Sequence, residues 1–256
     1  MMKKKHSIDC KSSVLFVHDE GLVQYPKINE HLLETNTHVR LARNEIGLYD
    51  LFKNEYIEYR TTQNKVLEPL YALGFTQQLS PEFFFKYLKR DDARFIRETI
   101  DRTVDFLQKK EADDRKNYVL HLDASVQHPN GNYYRFIHQS YVLESKADDA
   151  DWLVLCILSL IDIGARYTSP LRMLRHADSV KSCLFCHKGN EHTLCFTPHE
   201  QELIRYIAMG YSTEEIAPHF GVNKDTIGKE RSRIMAKTKT KNVAQLVNYA
   251  KIIRLV

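Results

Sequence analysis

Apolar positions recur at helical spacing near the C-terminus of this chain and alternate at strand spacing before it. From Tyr118 to Gln127, Tyr118, Leu120 and Leu122 alternate with Val119, His121 and Asp123, which predicts a strand covered on one side. His128-Pro129-Asn130-Gly131 reads as a hairpin turn, and Asn132 to Leu143 as the returning strand. Asp148 to Asp151 predicts a second turn. Trp152 to Ile163 is more apolar and reads as a third, more buried strand. Such a meander makes a curved sheet with one covered face. Upstream, Ser80-Pro81-Glu82 opens a predicted helix through Phe83, Phe84, Tyr87 and Leu88. Asp91-Asp92 opens another, with Phe95, Ile96, Ile100, Val104 and Leu107 at helical spacing. Leu70 to Leu79 and Tyr56 to Arg60 fit short strands or turns, and residues 28–48 a leading helix.

The C-terminal segment is punctuated more clearly. Thr197-Pro198-His199-Glu200 is a capping box with proline at the first helical position. Leu203, Ile204, Ile207 and Ala208 follow at helical spacing, and Gly210 is a stop signal. Ser212-Thr213-Glu214-Glu215 is a second capping box, opening a short helix with Ile216, Ala217 and Phe220 inward. Gly221-Val222-Asn223 is a turn whose asparagine caps a third helix, Lys224 to about Lys237, with Ile227, Ile234 and Met235 as its apolar contacts. Asn242 caps a fourth, with Val243, Leu246, Val247, Ala250 and Ile253 on one side. Short helices with a glycine turn before a basic third one are the ingredients of a helix-turn-helix.

Charge sharpens this picture. Residues 197–256 carry ten Lys/Arg against six Asp/Glu, while residues 1–196 carry 27 of each. Asn223 to Lys241 alone holds seven basic and two acidic residues. A positive patch on a neutral body suits a polyanion, although a basic helix face can also be simply solvated.

The strings Phe196-Thr197-Pro198-His199-Glu200, Met209 to Ala217, Phe220 to Ile227, and Arg231-Ser232-Arg233-Ile234 with Lys237 resemble the LuxR/GerE-type DNA-binding domain. The resemblance covers residues 196–256. It implies a four-helix unit whose third helix reads the major groove and whose fourth commonly supplies a dimer contact. It implies DNA contacts at Thr213, Asn223, Lys224, Thr226, Lys229, Arg231, Ser232, Arg233 and Lys237. Lys237 can instead pair with Glu200 across the helices. Three residues depart from the pattern. Gly228 and Glu230 stand where the family usually has a basic residue and a histidine. Gly228 removes a base-reading side chain and weakens the helix by roughly 1 kcal/mol. Glu230 would repel phosphate if it faced the backbone, leaving Lys229 more of the readout. Pro218 removes a hydrogen bond inside the second helix and should kink it.

A front strand pair, a few helices and a three-strand meander resemble a PAS-type sensor domain over residues 45–165. The likeness is carried by Gly74-Phe75, Ser80-Pro81-Glu82, Leu88-Lys89-Arg90-Asp91-Asp92 and Asn130-Gly131. A GAF-like or unrelated α+β domain fits the same elements. No flavin-reactive cysteine motif is recognisable, and His121, His128 and His138 read as exposed strand or turn residues rather than haem ligands. No cofactor is therefore expected.

The expected architecture is α+β, with an N-terminal helical extension over 1–44, a PAS-like sensor domain over 45–168, a linker over 169–195 and the helix-turn-helix over 196–256. Cys183, Cys186, His192 and Cys195 place four soft ligands within 13 residues of the linker, which suits zinc. Cys183, Cys186 and His187 have the spacing for haem attachment, which needs export. The same residues can form a redox pair, or pack with Leu184 and Phe185 as an apolar patch. Five cysteines, an odd number, argue against a secreted disulfide framework. The basic start, Met1 to His6, lacks the apolar core of a signal peptide, and no run of apolar residues could span a bilayer. These features predict a cytoplasmic, non-enzymatic transcriptional regulator. Its expected partners are double-stranded DNA, a second copy of the chain, RNA polymerase, and an unidentified small-molecule or protein signal, with no membrane. A sigma-factor-like polymerase subunit and a ligand-processing enzyme fused to a DNA-binding module are the alternatives.

Overall fold

The predicted meander forms, and three earlier strands join it. The computed structural model describes residues 14–17, 44–51, 53–61, 85–128, 131–145, 152–165, 167–176 and 195–256. The chain divides into two compact units, Met1–Pro170 and Leu171–Val256.

In the first unit the strands are β1 (Val14–Val17), β2 (Glu45–Asp50), β3 (Glu55–Thr61), β4 (Tyr118–Gln127), β5 (Tyr133–Ser145) and β6 (Trp152–Ala165). They pair antiparallel in the order β1-β3-β2-β6-β5-β4. The hairpins β4–β5 and β5–β6 form the meander. Its last strand then pairs with the first strand of the front hairpin, setting Ile46 opposite Ile157 and Leu48 opposite Leu155. Between β3 and β4 lie helices α1 (Arg90–Gln108) and α2 (Ala112–Arg115). The architecture is α+β.

Several expectations change on contact with this sheet. Residues 45–48 of the expected leading helix are part of β2, and residues 28–43 lie outside the described residues. Strand β2 sits between β3 and β6, so Ile46, Leu48 and Tyr49 are buried together on its two faces. Apolar residues on both sides of a central strand imitate helical spacing. Within the expected helical extension, Val14–Val17 is a strand, its apolar run pairing with β3. The turn at Asp148–Asp151, the start of the helix at Ser80, Leu70 to Leu79 and Gly74-Phe75 lie outside the described residues. Tyr87 and Leu88 stand in a turn rather than a helix. Tyr56 to Arg60 belongs to β3.

Strand β4 is buried from Tyr118 to Val126 on both faces, not one. His121 is therefore interior, at 3% exposure, and His128 and His138 are half-buried. What makes β4 look amphipathic is a polar set that the fold buries. His121, Asp123 and Ser125 share a face with Arg135 and Gln139 of β5 and Ser159 of β6, all buried. Arg135 Nε donates to Asp123 Oδ1 at 2.9 Å, and its Nη2 donates to Asp123 Oδ2. Burial holds His138 down at about 4 and pushes the Cys156 thiol up to about 12.

Helix α1 buries Asp92, Ile96, Thr99, Thr103 and Leu107, a stripe rotated from the expected one. The two threonines can face inward because each hydroxyl donates to the carbonyl four residues earlier, Phe95 at 2.7 Å and Thr99 at 2.8 Å. At its C-terminus, buried Arg115 donates from Nε to the carbonyls of Leu107 and Lys110, both at 3.1 Å. Its guanidinium also lies 4.8 Å from the centre of the Trp152 ring. One cation thereby satisfies orphan carbonyls at the negative end of the helix.

The second unit begins with a strand, β7 (Leu171–His176), inside the stretch expected as linker. Leu171, Met173 and Leu174 are buried there. The four helices follow: α3 (Pro198–Ala208), α4 (Thr213–Phe220), α5 (Lys224–Thr238) and α6 (Val243–Ile252). Their common core is Leu203, Ile204, Ile207, Ile216, Ala217, Ile227, Ile234, Leu246, Tyr249, Ala250 and Ile253. Among the described residues no helix is long and apolar enough to cross a membrane.

Candidate nucleic-acid interface

The N-terminus of each of these helices is held by residues visible in the sequence. Both capping boxes close: the Thr197 hydroxyl accepts from the Glu200 amide at 3.1 Å, and Glu200 Oε2 accepts from the Thr197 amide at 2.8 Å. Ser212 and Glu215 repeat the exchange at 3.3 and 2.8 Å. Helix α4 ends at Gly221, whose φ of 64° lies in the left-handed region. The Val222 amide then returns to the Ala217 carbonyl at 3.1 Å. Asn223 turns the chain directly into α5, its Oδ1 accepting from the Thr226 amide at 2.8 Å. Asn242 caps α6 in the same way, accepting from the Gln245 amide at 2.8 Å. Pro218 does not break α4, which continues to Phe220. Pro218 and Glu214, the residue whose carbonyl it leaves without an amide, are both exposed, so water can take that bond.

Helix α5 is thus clamped at its start, and Ile227 and Ile234 are buried beneath it. Its opposite side, with the N-terminal turn of α4, forms an open concave surface lined by Thr213, Glu214, Lys224, Asp225, Gly228, Lys229, Arg231, Ser232 and Arg233. Six of the nine expected contact residues meet here. The other three do structural work. Asn223 is the cap, and Thr226 donates both its amide and its hydroxyl to it. Lys237 Nζ sits 2.7 Å from Glu200 Oε2 and 5.1 Å from the centre of the Phe196 ring. That is the cross-helix alternative.

Glu230 does not face outward. Its Oε2 lies 2.9 Å from His199 Nε2, tying α5 to α3, and the His199 ring packs edge-on against Phe220 at 4.7 Å. The acidic residue that threatened to repel phosphate is turned to the protein side. At Gly228 an added Cβ would meet nothing within 4 Å, so the surface beside it is open.

The cations on the concave surface differ in what occupies them. Lys224 Nζ is 3.5 Å from Glu214 Oε1, and hydrogen bonds from its own backbone and Thr213 hold the Glu214 carboxyl below its usual range. Among the described residues Lys229, Arg231 and Arg233 form no ion pair. Thr213 and Ser232 donate their hydroxyls to Glu214 Oε2 at 3.0 Å and to the Gly228 carbonyl at 3.0 Å. Sequence reasoning missed Asp225, an exposed carboxylate in the middle of this basic surface. Its helical position relative to Gly228 and Ser232 was the available signal. Of the four proposed zinc residues only Cys195 is described. Cys183, Cys186 and His192, and the haem-type His187, lie outside the described residues.

Among the comparisons with known proteins, a family match falls on the C-terminal unit. A curated relative, a probable transcriptional regulator ycf29 from Cyanophora paradoxa, is 32% identical over 111 residues, which is 43% of this chain and 50% of that protein. The chain thus spans about half the length of that relative. Among solved structures, the phage VqmA–DPO complex covers 90% of each chain at 14% identity with a TM-score of 0.31. The VqmA dimer of Vibrio cholerae without its target DNA covers 87% of this chain and 88% of that one at 12% identity, with a TM-score of 0.29. The family model described as bacterial regulatory proteins, luxR family, matches residues 194–250. With its third helix held by an asparagine cap and carrying cations on its open side, the C-terminal segment is therefore a GerE-type domain of the luxR family.

Proposed function

We propose that this protein is a DNA-binding transcriptional regulator whose first unit makes promoter binding conditional. The observation that carries the proposal is the outer side of α5, where Lys229, Arg231 and Arg233 stand without ion pairs on a rigid helix opposite the core. Such an arrangement offers phosphate contacts from the cations and base contacts from the strip between them. The family match over residues 194–250 and the likeness to a probable transcriptional regulator support the same reading. The chain acts as a cytoplasmic homodimer, so that two copies of α5 meet two half-sites about one turn of the duplex apart, and RNA polymerase is the partner of the bound dimer.

The proposed domain limits are 45–168 for the sensor, 169–195 for the connection and 196–256 for the DNA-binding part. A PAS-like identity for the sensor is supported by the order of its elements: a front hairpin, then helices, then a meander whose last strand pairs with the first of the hairpin. A sensing role is supported by the buried polar face of His121, Asp123, Ser125, Arg135, Gln139 and Ser159, which a purely structural core does not need. A signal bound there shifts the population toward the arrangement that matches the half-sites. The experiment is to capture sheared genomic DNA with the full chain across a range of salt concentrations. Enriched sites whose occupancy falls steeply with salt are expected. No enriched, salt-sensitive site would remove the proposal.

A further inference from the structure

Among the side chains on the open side of α5, one has the opposite chemistry from its neighbours. Lys224, Lys229, Arg231 and Arg233 are donors. The hydroxyls of Thr213 and Ser232 are spent on Glu214 and the Gly228 carbonyl. Asp225 is exposed, lines the same surface, and among the described residues has no ion pair and no hydrogen bond donated to its carboxylate. Among the described residues it is the unoccupied carboxylate of that surface, since Glu214 already accepts from Thr213 and Lys224.

Geometry puts that acceptor where it can read a base. At about 100° per residue, Asp225, Gly228 and Ser232 share one strip of α5, opposite buried Ile227 and Ile234. Lys229 and Arg233 flank the strip on one side, and Lys224 and Arg231 on the other. An aspartate arm is short, so it meets a base edge only if the helix backbone comes close to the groove floor. Gly228, one turn along, has no side chain to hold the backbone away, and the space where its Cβ would stand is empty. Ser232, the next residue of the strip, is folded back on its own helix. The long cations on both flanks can then reach the phosphates of both strands. In the major groove a carboxylate accepts from the exocyclic amine of cytosine, whereas guanine presents only acceptors to it there.

We propose that Asp225 is a specificity-determining residue that reads a cytosine in each half-site. The proposal rests on the DNA-binding reading of α5. Its test is selection of bound duplexes from a randomised pool by the full-length protein, run with the wild type, Asp225→Ala and Asp225→Asn. The wild type is expected to enrich a motif with a C·G pair at one fixed position per half-site. Asp225→Ala should keep the rest of the motif and lose preference at that position by about 5- to 150-fold. Asp225→Asn should move the preference there toward adenine, which an amide pairs with through N6 and N7. If Asp225→Ala enriches the wild-type motif with undiminished selectivity, Asp225 serves only its own helix end and the proposal is overturned while DNA binding stands. If the wild type enriches nothing, both fall.

Discussion

Two cations on α5 that look alike in the sequence should behave oppositely toward DNA. Arg233 is exposed and has no ion pair among the described residues, while Lys237 is held 2.7 Å from Glu200 with its side chain only 33% exposed. Lys229, Arg231 and Arg233 give three cations without ion pairs on the open side of α5, hence about six in the proposed dimer. If each neutralises one phosphate, the slope of log affinity against log salt is about −5. Affinity then falls by about 2,000-fold between 50 and 200 mM salt. Arg233→Ala removes about two of those contacts from a dimer, so the same salt change should cost only about 150-fold. Lys237→Ala should leave the slope unchanged. It instead loses a half-buried pair, while Glu200 keeps its bond to the Thr197 amide. That pair is worth about 1 kcal/mol, or roughly 5 °C in Tm for a unit of this size. Fluorescence anisotropy on a selected duplex across the salt range gives the slope, and thermal melting gives the stability. A Lys237→Ala protein with a slope reduced as much as that of Arg233→Ala, and an unchanged Tm, would refute the assignment.

The first unit yields two further expectations. Asp123 and Arg135 are 4% and 1% exposed, so Asp123→Ala leaves a buried guanidinium without its carboxylate and should cost about 3–5 kcal/mol. Replacing both by leucine and methionine should cost much less, and urea titration of the two variants would expose an error if the single and double changes cost the same. His138 is held at about 4 when folded, against about 6.5 when unfolded, so only the unfolded chain takes up its proton between those values. Stability contributed by this group is therefore full above pH 6.5 and is lost on acidification, by about 2 kcal/mol between pH 7.5 and 5. His138→Gln should flatten that part of the urea-midpoint profile, and equal profiles for the two proteins would count against a neutral imidazole in the folded protein.

Where the sequence predicted well, the information was local. Capping boxes, N-cap asparagines and the turn at Gly221 act over three to five residues, and every one of them forms. Hairpin strands are nearly as local, and β4, β5 and β6 fall within a few residues of their predicted limits. Strand β2 was misread because its burial depends on β6, more than 100 residues later. Its two covered faces erase the alternation that marks a strand with one wet side. His121 failed for the same reason: polarity suggested solvent, but Gln139 lies opposite on β5 and the whole face is interior.

The same distinction separates scaffold from chemistry in the C-terminal unit. Glu230 looks like a flaw in a phosphate-binding helix until His199, 31 residues earlier, is seen to take its carboxylate. Lys237, expected either as a phosphate contact or as a partner of Glu200, is paired with Glu200. Each of these charges is withdrawn from the open side of α5 by a partner on α3, so the formal charge of the helix overstates its free cations and misplaces its anion. What remains on the open side is a smaller and more informative set: three unpaired cations, a glycine, and the unpaired carboxylate of Asp225. That carboxylate sits in the first turn of α5, where it complements the helix dipole, and the proposed base contact gives it a second use. With the backbone beside it left bare at Gly228, it stands where the proposed reading of a base edge needs an acceptor.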